Sequence, residues 1–559
     1  MRRIGLRARP VPPNVKYLML KERFATYLRP GMLAMALLVA GYVAVWILEN
    51  LPVRYPLEYR ENAIVLFTRL MTEGHNPYSV ELRPATINVY GIVYHWAIFP
   101  FAQVIGCTAP LHRTASVFFV VATCIALGWV LRRDGVPILF SAVGALLLFI
   151  HLGQGLSIVA RPDSLGLFLF FTSLAIPFCF HFSSSSLVIS IGLSILGFLT
   201  KPYFLLSWGL VPAYAFLCVG KRRGIWTGFA GTVALLGTVT LIHRIYECYF
   251  TETFFIPLNS SGRSWRHLRE VGSGFLLMNW GLLLVLLGPV VAGVFPGRKE
   301  RAGSVAREKT RSWFDLAHLD EPLLSRAISL PAAVLICNGL VMVLLLGLHP
   351  GNGILYYHQL LTPFLIWTVF RQFQADWRRH GLSILLITAN LAFLSGRTPR
   401  LPGDFKKEWA VIEELLADKK DVFTAPHLAH ILATQNKPVY DAGMTEYYRA
   451  ALGRNPLSIS SAYRERVKTY REEVADKVAQ QRFELVVVTP GLTPALSLAE
   501  LRKHYVLQDT LPAPMTFDLF PIDTYPVDVW VPRGRHAGVL QSPPPMAEVG
   551  PPATETRRR

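Results

Sequence analysis

Repeated apolar runs of about the length of a bilayer crossing constrain this chain more than any other feature. A bilayer core about 30 Å thick is crossed by about 20 residues of helix, and charged side chains are costly within it. Only 17% of the 559 residues are charged, against about 25% in soluble domains. The sequence therefore predicts a polytopic α-helical membrane protein with about eleven transmembrane helices within residues 31–396. The predicted spans are 31–48, 114–131, 136–153, 163–181, 185–200, 203–219, 225–245, 274–295, 326–348, 355–370 and 380–396.

Basic residues dominate the segment before the first run and predict the orientation of the chain. The positive-inside rule places residues 1–30 in the cytoplasm. No small-residue cleavage site follows 31–48, so this run is interpreted as a retained transmembrane helix and not as a signal peptide. We expect a multi-pass protein of the cell inner (cytoplasmic) membrane, surrounded by membrane lipids.

A further apolar run at 87–105 decides on which side the later loops lie. If it crosses the membrane, the basic clusters at 132–133, 221–223 and 297–311 all fall outside, whereas an interfacial run puts all three inside. The positive-inside rule favours the interfacial arrangement, and so does the aromatic, half-polar composition of the run. Residues 50–113 are therefore predicted to form one outer loop with interfacial helices, and the C-terminus is predicted to lie outside.

The net charge of +19 does not indicate nucleic-acid binding. The Lys and Arg residues fall in short clusters between apolar runs, as in cytoplasmic loops, and not on one continuous basic face. The six Cys residues show neither metal-ligand spacing nor a disulfide pattern, so they are interpreted as small apolar residues. No nucleic-acid partner is expected.

The composition changes after residue 400. Helix and strand patterns alternate there, and the continuous apolar run at 484–489 predicts a buried strand. Residues 397–541 are therefore predicted to form a small extracytoplasmic α/β domain. Residues 542–559 are Pro-rich and charged, and they are predicted to be a disordered tail.

The predicted topology collects polar and ionisable residues at the outer face. Such groups at membrane depth are costly and are candidate functional residues. Simpler interpretations remain open: Arg161 and Lys201 can snorkel to the interface, Arg161 can form a structural ion pair with Asp163, and the two tyrosines can belong to an aromatic belt. The candidates are Glu58, Arg60, Glu61, Arg161, Asp163, Lys201, Arg263, Tyr356, Tyr357 and His358.

Short motifs in this outer set resemble the C-type (GT-C) glycosyltransferases. The motifs are acidic residues after the first span, an amphipathic helix, G-H-N-P-Y at 74–78, a Tyr-rich entry at 90–94 and R-P-D-S-L at 161–165. They are most similar to the bacterial dolichyl-phosphate-mannose mannosyltransferase-like group, which includes aminoarabinose and arabinofuranosyl transferases. The resemblance covers residues 30–400 and implies a GT-C-like enzyme. Such an enzyme moves a sugar from a polyprenyl-phosphate-linked donor, with inversion, to a glycan, lipid or protein acceptor at the outer face.

The resemblance also implies that a carboxylate in the first outer loop acts as general base. Glu61 lies thirteen residues before Gly74 and within a Y-x-E-x-A frame, and Glu58 lies sixteen residues before Gly74. The Asp-Glu doublet usual in the family is absent. Glu61 is the first hypothesis for the base and Glu58 is the second.

The expected chemistry explains the remaining candidates. An acceptor hydroxyl or amine attacks the anomeric carbon, a carboxylate takes the proton, and preplaced cations stabilise the departing phosphate. Arg60, Arg161, Lys201, Arg263 and His358 are the candidates for that role. No D-x-D motif occurs in the first loop, so no metal ligands are assigned, and a divalent metal remains an open alternative.

Two other functions remain open. A transporter or flippase for lipid-linked saccharides is expected to have matching halves with broken spans, and no such repeat is visible in the sequence. A polymer ligase that uses a similar lipid carrier is the other alternative.

Overall fold

The computed structural model describes residues 13–154, 158–260, 262–291, 328–349, 353–374, 380–397, 401, 403–441, 459–489, 496–515 and 523–535. The architecture is mostly helical, with one small sheet near the C-terminus. The predicted tail and the basic cluster at 297–311 lie outside these residues.

The described residues of the membrane part contain sixteen α-helices. They are α1 (Pro13–Asn50), α2 (Glu61–Thr72), α3 (Ile92–Ile105), α4 (Ala109–Arg133), α5 (Ile138–Gln154), α6 (Asp163–Cys179), α7 (Ser184–Phe198), α8 (Leu206–Cys218), α9 (Lys221–Ile245), α10 (Ile256–Ser260), α11 (Trp265–Met278), α12 (Trp280–Val291), α13 (Leu330–Leu344), α14 (Ile354–Leu360), α15 (Thr362–Phe370) and α16 (Gly381–Ser395).

Several of these helices have the length and composition of membrane spans. Four are long and apolar enough to cross a bilayer, and the bent pair α11–α12 is a fifth if it forms one span. Six shorter apolar helices of 10–17 residues accompany them in the described part of the chain. The multi-pass helical architecture agrees with the sequence, while the number of eleven spans stays a prediction.

Two runs that were predicted as continuous spans are broken, which corrects the sequence interpretation. Within 274–295, α11 and α12 meet at a bend of 77°. Asn390 of α16 satisfies the backbone at this break, because it accepts from the Gly281 N–H (2.8 Å) and donates to the Met278 carbonyl (3.1 Å). Within 355–370, α14 and α15 are separate because Pro363 has no N–H with which to continue the helical hydrogen bonds.

The connections between helices gather at two ends of the bundle. At one end, called the Lys201 end, the Lys201 ammonium after α7 donates to the Asp163 carboxylate at the start of α6 (2.6 Å). At the other, called the Arg133 end, the last residues of α4, α6 and α8 line one cavity together with Arg371. The basic clusters at 132–133 and 221–223 lie at or beside the Arg133 end, so these two clusters share one side of the bundle.

The first loop folds into two helices and lies at the Lys201 end. Helix α2 ends at Thr72, and Gly74 then adopts a positive φ of 81°, which L side chains rarely adopt. Helix α3 has 14 residues, about 21 Å of helix, which is shorter than a bilayer core. Large apolar side chains on one face of α3, among them Trp96 and Phe101, are exposed. The interfacial placement of this run stays a prediction.

The C-terminal part is an α/β unit. Its sheet has the order β1-β2-β4-β3, in which β1 and β2 are parallel and the other pairs are antiparallel. The predicted strand at 484–489 is observed as β2. The elements are α17 (Phe405–Ala417), β1 (Val422–Thr424), α18 (Ala429–Thr434), α19 (Ser461–Ala479), β2 (Leu485–Val488), α20 (Leu498–His504), β3 (Tyr505–Met515) and β4 (Asp523–Pro532).

This α/β unit packs directly on the first loop. Trp409 of α17 stacks on Tyr55 with ring centroids 5.8 Å apart, and its indole N–H donates to the Pro514 carbonyl (3.0 Å). Arg69 of α2 donates to the side-chain oxygen of Asn436 (3.1 Å) and to a backbone carbonyl of α18. The first loop therefore lies between the helix bundle and the C-terminal unit.

Close packing at Gly91 gives the first prediction. A Cβ at this position would lie 1.9 Å from the Leu199 carbonyl oxygen and 2.8 Å from the Tyr249 hydroxyl. We expect Gly91→Ala to lower stability by about 1–3 kcal/mol, because overpacking forces the backbone before Lys201 to move. The measurement is the apparent Tm of the purified protein in detergent.

Gly192→Ala is the matched control for this prediction. Gly192 lies in the middle of α7 and has no atom within 4 Å of its virtual Cβ. Alanine there is expected to be neutral or mildly stabilising. Equal Tm values for both variants would contradict the proposed packing at Gly91.

Candidate functional site

Five charged side chains form a buried group at the Lys201 end, called the polar cluster. Its members come from three parts of the chain, and each is at most 5% exposed. Charged residues are rarely buried to this extent unless they are paired, and buried ionisable groups concentrate at functional sites. The members are Glu58 and Arg60 of the first loop, Arg161 and Asp163 of the α5–α6 connection, and Lys201 after α7.

Ion pairs connect the members into one network. Asp163 accepts from Arg161 Nε at 2.9 Å and from Lys201 Nζ at 2.6 Å. Glu58 Oε2 accepts from the backbone N–H of Arg60 at 3.0 Å. Glu58 Oε1 lies 3.4 Å from Nη1 of Arg60 and 3.7 Å from Nη1 of Arg161. Arg161 therefore lies between the two carboxylates.

Helix ends place these side chains. Asp163 is the first residue of α6, where the helix dipole favours a carboxylate. The Ser116 hydroxyl of α4 donates to the Arg161 carbonyl at 3.1 Å. Lys201 precedes Pro202, the first residue of a short 3-10 turn, and proline is favoured at such starts. The charged groups therefore project from backbone that the helices fix.

Three tyrosine rings surround the ammonium group of Lys201. Its Nζ lies 4.4 Å from the ring centre of Tyr356, 5.0 Å from that of Tyr90 and 5.4 Å from that of Tyr203. It also donates to the Tyr356 hydroxyl at 3.0 Å. The Tyr203 hydroxyl donates to the Gln359 side-chain oxygen at 2.6 Å. Cation–π attraction of this kind strengthens when water is excluded.

The polar cluster carries an excess of positive charge. Three cations face two carboxylates, which leaves a net charge of +1. In addition, Nη2 of Arg161 is buried and has no hydrogen-bond partner among the described residues. A buried uncompensated cation is strongly unfavourable, and guanidinium groups pair well with phosphate. The arrangement therefore suits an anionic ligand with several acceptor oxygens.

Glu61 belongs to a second, separate ion pair. Arg113 of α4 donates to it through Nε at 2.8 Å and through Nη2 at 2.6 Å. The backbone N–H groups of Ala160 and Leu57 donate to it at 2.6 and 2.7 Å. Burial by itself raises the pKa of Glu61, but Arg113 and the two N–H donors outweigh burial and lower it.

The surroundings of Glu61 are those of a structural carboxylate. Both of its oxygens accept close hydrogen bonds, and a lowered pKa weakens a carboxylate as a proton acceptor. Glu58 lies in the polar cluster beside Arg161. The geometry therefore favours the second hypothesis from the sequence, Glu58, over the first.

The remaining sequence candidates lie apart from the polar cluster, except for Tyr356. Arg263 is exposed, just before α11. Tyr357 packs on Phe275 with ring centroids 5.6 Å apart. His358 contacts the Thr362 hydroxyl at 3.1 Å. Tyr356 and Gln359, three residues apart on α14, face the cluster together.

Two buried sets of residues were not among the candidates selected from the sequence. Arg113 was not selected, although a single arginine at the start of an apolar run was a visible signal. The second set is a buried network in which Glu252 pairs with Arg83 and also accepts from the Tyr463 hydroxyl (3.3 Å) and the Asn88 N–H (3.3 Å). This network joins the first loop, the segment before α10 and helix α19.

Comparisons with known proteins gave two structural likenesses. No family model and no curated protein matched the sequence. The structure of ArnT from Cupriavidus metallidurans bound to undecaprenyl phosphate is similar with a TM-score of 0.43 and 12% identity, over 88% of this chain and 97% of that one. The apo structure of the same protein gives a TM-score of 0.36, 13% identity and the same coverage. ArnT is a GT-C glycosyltransferase.

In the described part of the chain, no three His, Cys, Asp or Glu side chains are grouped so that they could hold a metal ion. A divalent metal therefore stays an open alternative, and no ligands are assigned to it.

The pair between Glu61 and Arg113 gives the second prediction. Arg113→Met keeps the length of the side chain but leaves a buried carboxylate without its cation. We expect a loss of stability of about 3–5 kcal/mol, because breaking one side of a buried pair strands the other charge. Arg266→Met is the matched control, since Arg266 pairs with Glu270 on the surface, and little change in apparent Tm is expected there.

The pH dependence gives an independent readout of the same pair. Because folding lowers the pKa of Glu61, its ionised form contributes to the stability of the folded protein at pH values above the ordinary carboxyl pKa of about 4.3. This contribution to stability is lost as the pH falls through the lowered pKa of Glu61 in the folded protein. Glu61→Gln is expected to flatten this acid-side decline in apparent Tm, and an unchanged decline would contradict the assigned pairing.

Proposed function

We propose that this chain is an integral membrane glycosyltransferase. It moves a sugar from a polyprenyl-phosphate-linked donor to a glycan, lipid or protein acceptor, with inversion, at the Lys201 end of the bundle. The observation that carries the proposal is the polar cluster, in which a buried excess of positive charge lies beside a carboxylate.

The cations of the polar cluster match the phosphate of the donor. A phosphodiester between a sugar and a lipid carries one negative charge, which balances the net charge of the cluster. Arg161 offers a buried, unpartnered N–H group, and Lys201 lies within 3.0 Å of the Tyr356 hydroxyl. Groups preplaced in this way stabilise charge as it develops on the leaving phosphate.

Glu58 is the general base of the proposed reaction. Asp163 is held by Arg161 and Lys201, and Glu61 is held by Arg113. Glu58 Oε1 lies at 3.4 Å or more from the guanidinium nitrogens of Arg60 and Arg161. It therefore lies beside the cations that would bind the phosphate of the donor.

The reaction then proceeds in one displacement. The acceptor oxygen or nitrogen attacks the anomeric carbon while Glu58 takes its proton. The bond between that carbon and the phosphate oxygen breaks, and the phosphate leaves with the electron pair. Attack from the face opposite the leaving group inverts the anomeric configuration. The apolar helices beside the cluster offer a path for the polyprenyl chain.

The proposal includes the location of the reaction. The Lys201 end is assigned to the outer face of the cytoplasmic membrane, with residues 1–30 in the cytoplasm and the C-terminal unit outside. The basic clusters beside the Arg133 end, at 132–133 and 221–223, support this orientation.

Replacement of the base gives the third prediction. Glu58→Gln is expected to lower kcat about 10²- to 10⁴-fold, the usual contribution of general-base catalysis, while the apparent Tm stays close to that of the wild type. The measurement is sugar transfer from synthetic polyprenyl-phosphate sugars in proteoliposomes. Glu73→Gln, at the exposed end of α2, is the matched control and is expected to retain activity.

A Glu61 variant distinguishes the two carboxylates as candidates for the general base. Glu61→Gln is expected to lower stability more than it lowers the kcat of the protein that remains folded. A fully active Glu58→Gln variant would refute the assigned base. Translocation of the lipid-linked sugar without any transfer would instead identify a flippase.

The cations give the fourth prediction. Lys201→Met is expected to weaken binding of undecaprenyl phosphate roughly tenfold or more, the effect of losing one hydrogen bond to a charged group. The donor KM is expected to rise in parallel. Binding of a carrier alcohol that lacks phosphate is expected to be unchanged. Equal losses of affinity for undecaprenyl phosphate and for the carrier alcohol would show that the substitution only disturbs packing.

A further inference from the structure

The cavity at the Arg133 end lies far from the polar cluster. Its volume is about 900 Å³, and the ends of α4, α6 and α8 line it together with Arg371. Helix α6 begins with Asp163 of the polar cluster and ends with Cys179 at this cavity, a helix of 17 residues. At 1.5 Å per residue this separates the two sites by about 25 Å, close to the thickness of a bilayer core.

Two cationic side chains, Arg133 and Arg371, line the cavity. Arg133 is exposed, has no ion-pair partner among the described residues, and lies with its guanidinium carbon 5.7 Å from the ring centre of Trp129. Arg371 pairs with Asp134 at 2.8 Å, and the Trp367 indole also donates to Asp134 at 2.9 Å. The Asp134 carboxylate is thus already paired with Arg371 and Trp367, and the Arg133 guanidinium remains available to bind an anionic ligand.

Apolar side chains form much of the remaining lining of the cavity. Phe182 stacks on Tyr214 with ring centroids 5.6 Å apart and an interplanar angle of 24°. Phe178, Val219 and Leu330 continue this wall. The lining is therefore amphipathic, with a cationic rim beside an apolar surface. A free inorganic anion would contact only the rim.

The turn between α6 and α7 adds a local observation. His181 and Phe182 both line the cavity, and both have positive φ angles of 51° and 54°. Non-glycine residues rarely adopt this conformation, and such residues recur where a ligand site fixes the backbone. The turn points the Phe182 ring into the apolar wall, where it meets Tyr214.

We propose that this cavity binds the headgroup of an anionic phospholipid, taken from the leaflet opposite the polar cluster. Arg133 contacts the lipid phosphate, and the aromatic wall contacts the glycerol region and the first part of the acyl chains. The cavity volume lies within the usual range of ligand sites, and basic pockets between transmembrane helices are known receptors for anionic lipid headgroups. The inference does not depend on the proposed glycosyltransferase activity.

The test is a binding measurement on the purified full chain in neutral nanodiscs. Phosphatidylglycerol and phosphatidylcholine with identical, fluorescently labelled acyl chains are titrated, and binding is followed by energy transfer from protein tryptophan. Phosphatidylglycerol is expected to bind more tightly than phosphatidylcholine. In Arg133→Gln its apparent Kd is expected to be roughly tenfold higher. Arg133→Glu is expected to abolish the preference for the anionic lipid.

Arg222→Gln is the matched control, because Arg222 is exposed at the start of α9 beside the same end of the bundle and does not line the cavity. It is expected to bind phosphatidylglycerol like the wild type. Equal binding of the two lipids, or equal losses in Arg133→Gln and Arg222→Gln, would overturn the proposal. Displacement of the lipid by millimolar inorganic phosphate would also overturn it, since the site would then belong to a free anion.

Discussion

The buried ion pair between Glu61 and Arg113 is the interaction on which the candidate site depends. Glu61 begins α2, Arg113 lies in the first turns of α4, and Glu61 also accepts from the Ala160 N–H. Because Ala160 directly precedes Arg161, this single carboxylate holds the first loop against the connection that carries Arg161. Glu58, three residues earlier, is brought beside Arg161 as a consequence. Two carboxylates three residues apart therefore have different surroundings: Glu61 is closely paired with Arg113, and Glu58 lies beside the cations of the polar cluster.

A second constraint is the packing of the C-terminal unit on the first loop. Contacts at Tyr55, at Arg69 and at the Glu252 network tie the loop to α17, α18 and α19. Buried polar networks of this kind fix one arrangement because each unpaired member would be costly. The loop that carries Glu58 is thus enclosed on both sides, which explains how a segment too polar for lipid is nevertheless buried.

Much of the architecture could be predicted from the sequence because it follows from local patterns. The apolar runs, the end of α2 before Gly74 and the strand at 484–489 are all encoded within short windows. Glu58, Arg161 and Lys201 could also be found, since ionisable residues beside apolar runs are conspicuous. The partner of Glu61 could not, because Arg113 lies 52 positions away and only the fold brings it near.

The same reasoning explains the other differences between sequence and structure. Hydropathy cannot reveal the break between α11 and α12, since the residue that satisfies the broken backbone, Asn390, belongs to another helix. Charge alone could not separate the exposed Arg263 from the buried Arg161. Local sequence patterns indicate the secondary structure and environment that a segment favours. Ion pairing and burial depend instead on contacts with distant parts of the chain.

The interruption after Leu360 leaves part of the surroundings of the polar cluster on a very short helix. Helix α14 has only seven residues, so few internal hydrogen bonds hold it, and short helices depend on side-chain contacts for their order. Tyr356 and Gln359, which face the polar cluster, both lie on this short piece. Substitutions within 353–361 can therefore re-aim two contact groups without bending a membrane-crossing helix. Changes in this segment can therefore alter the surroundings of Lys201 while the longer helices around it stay in place.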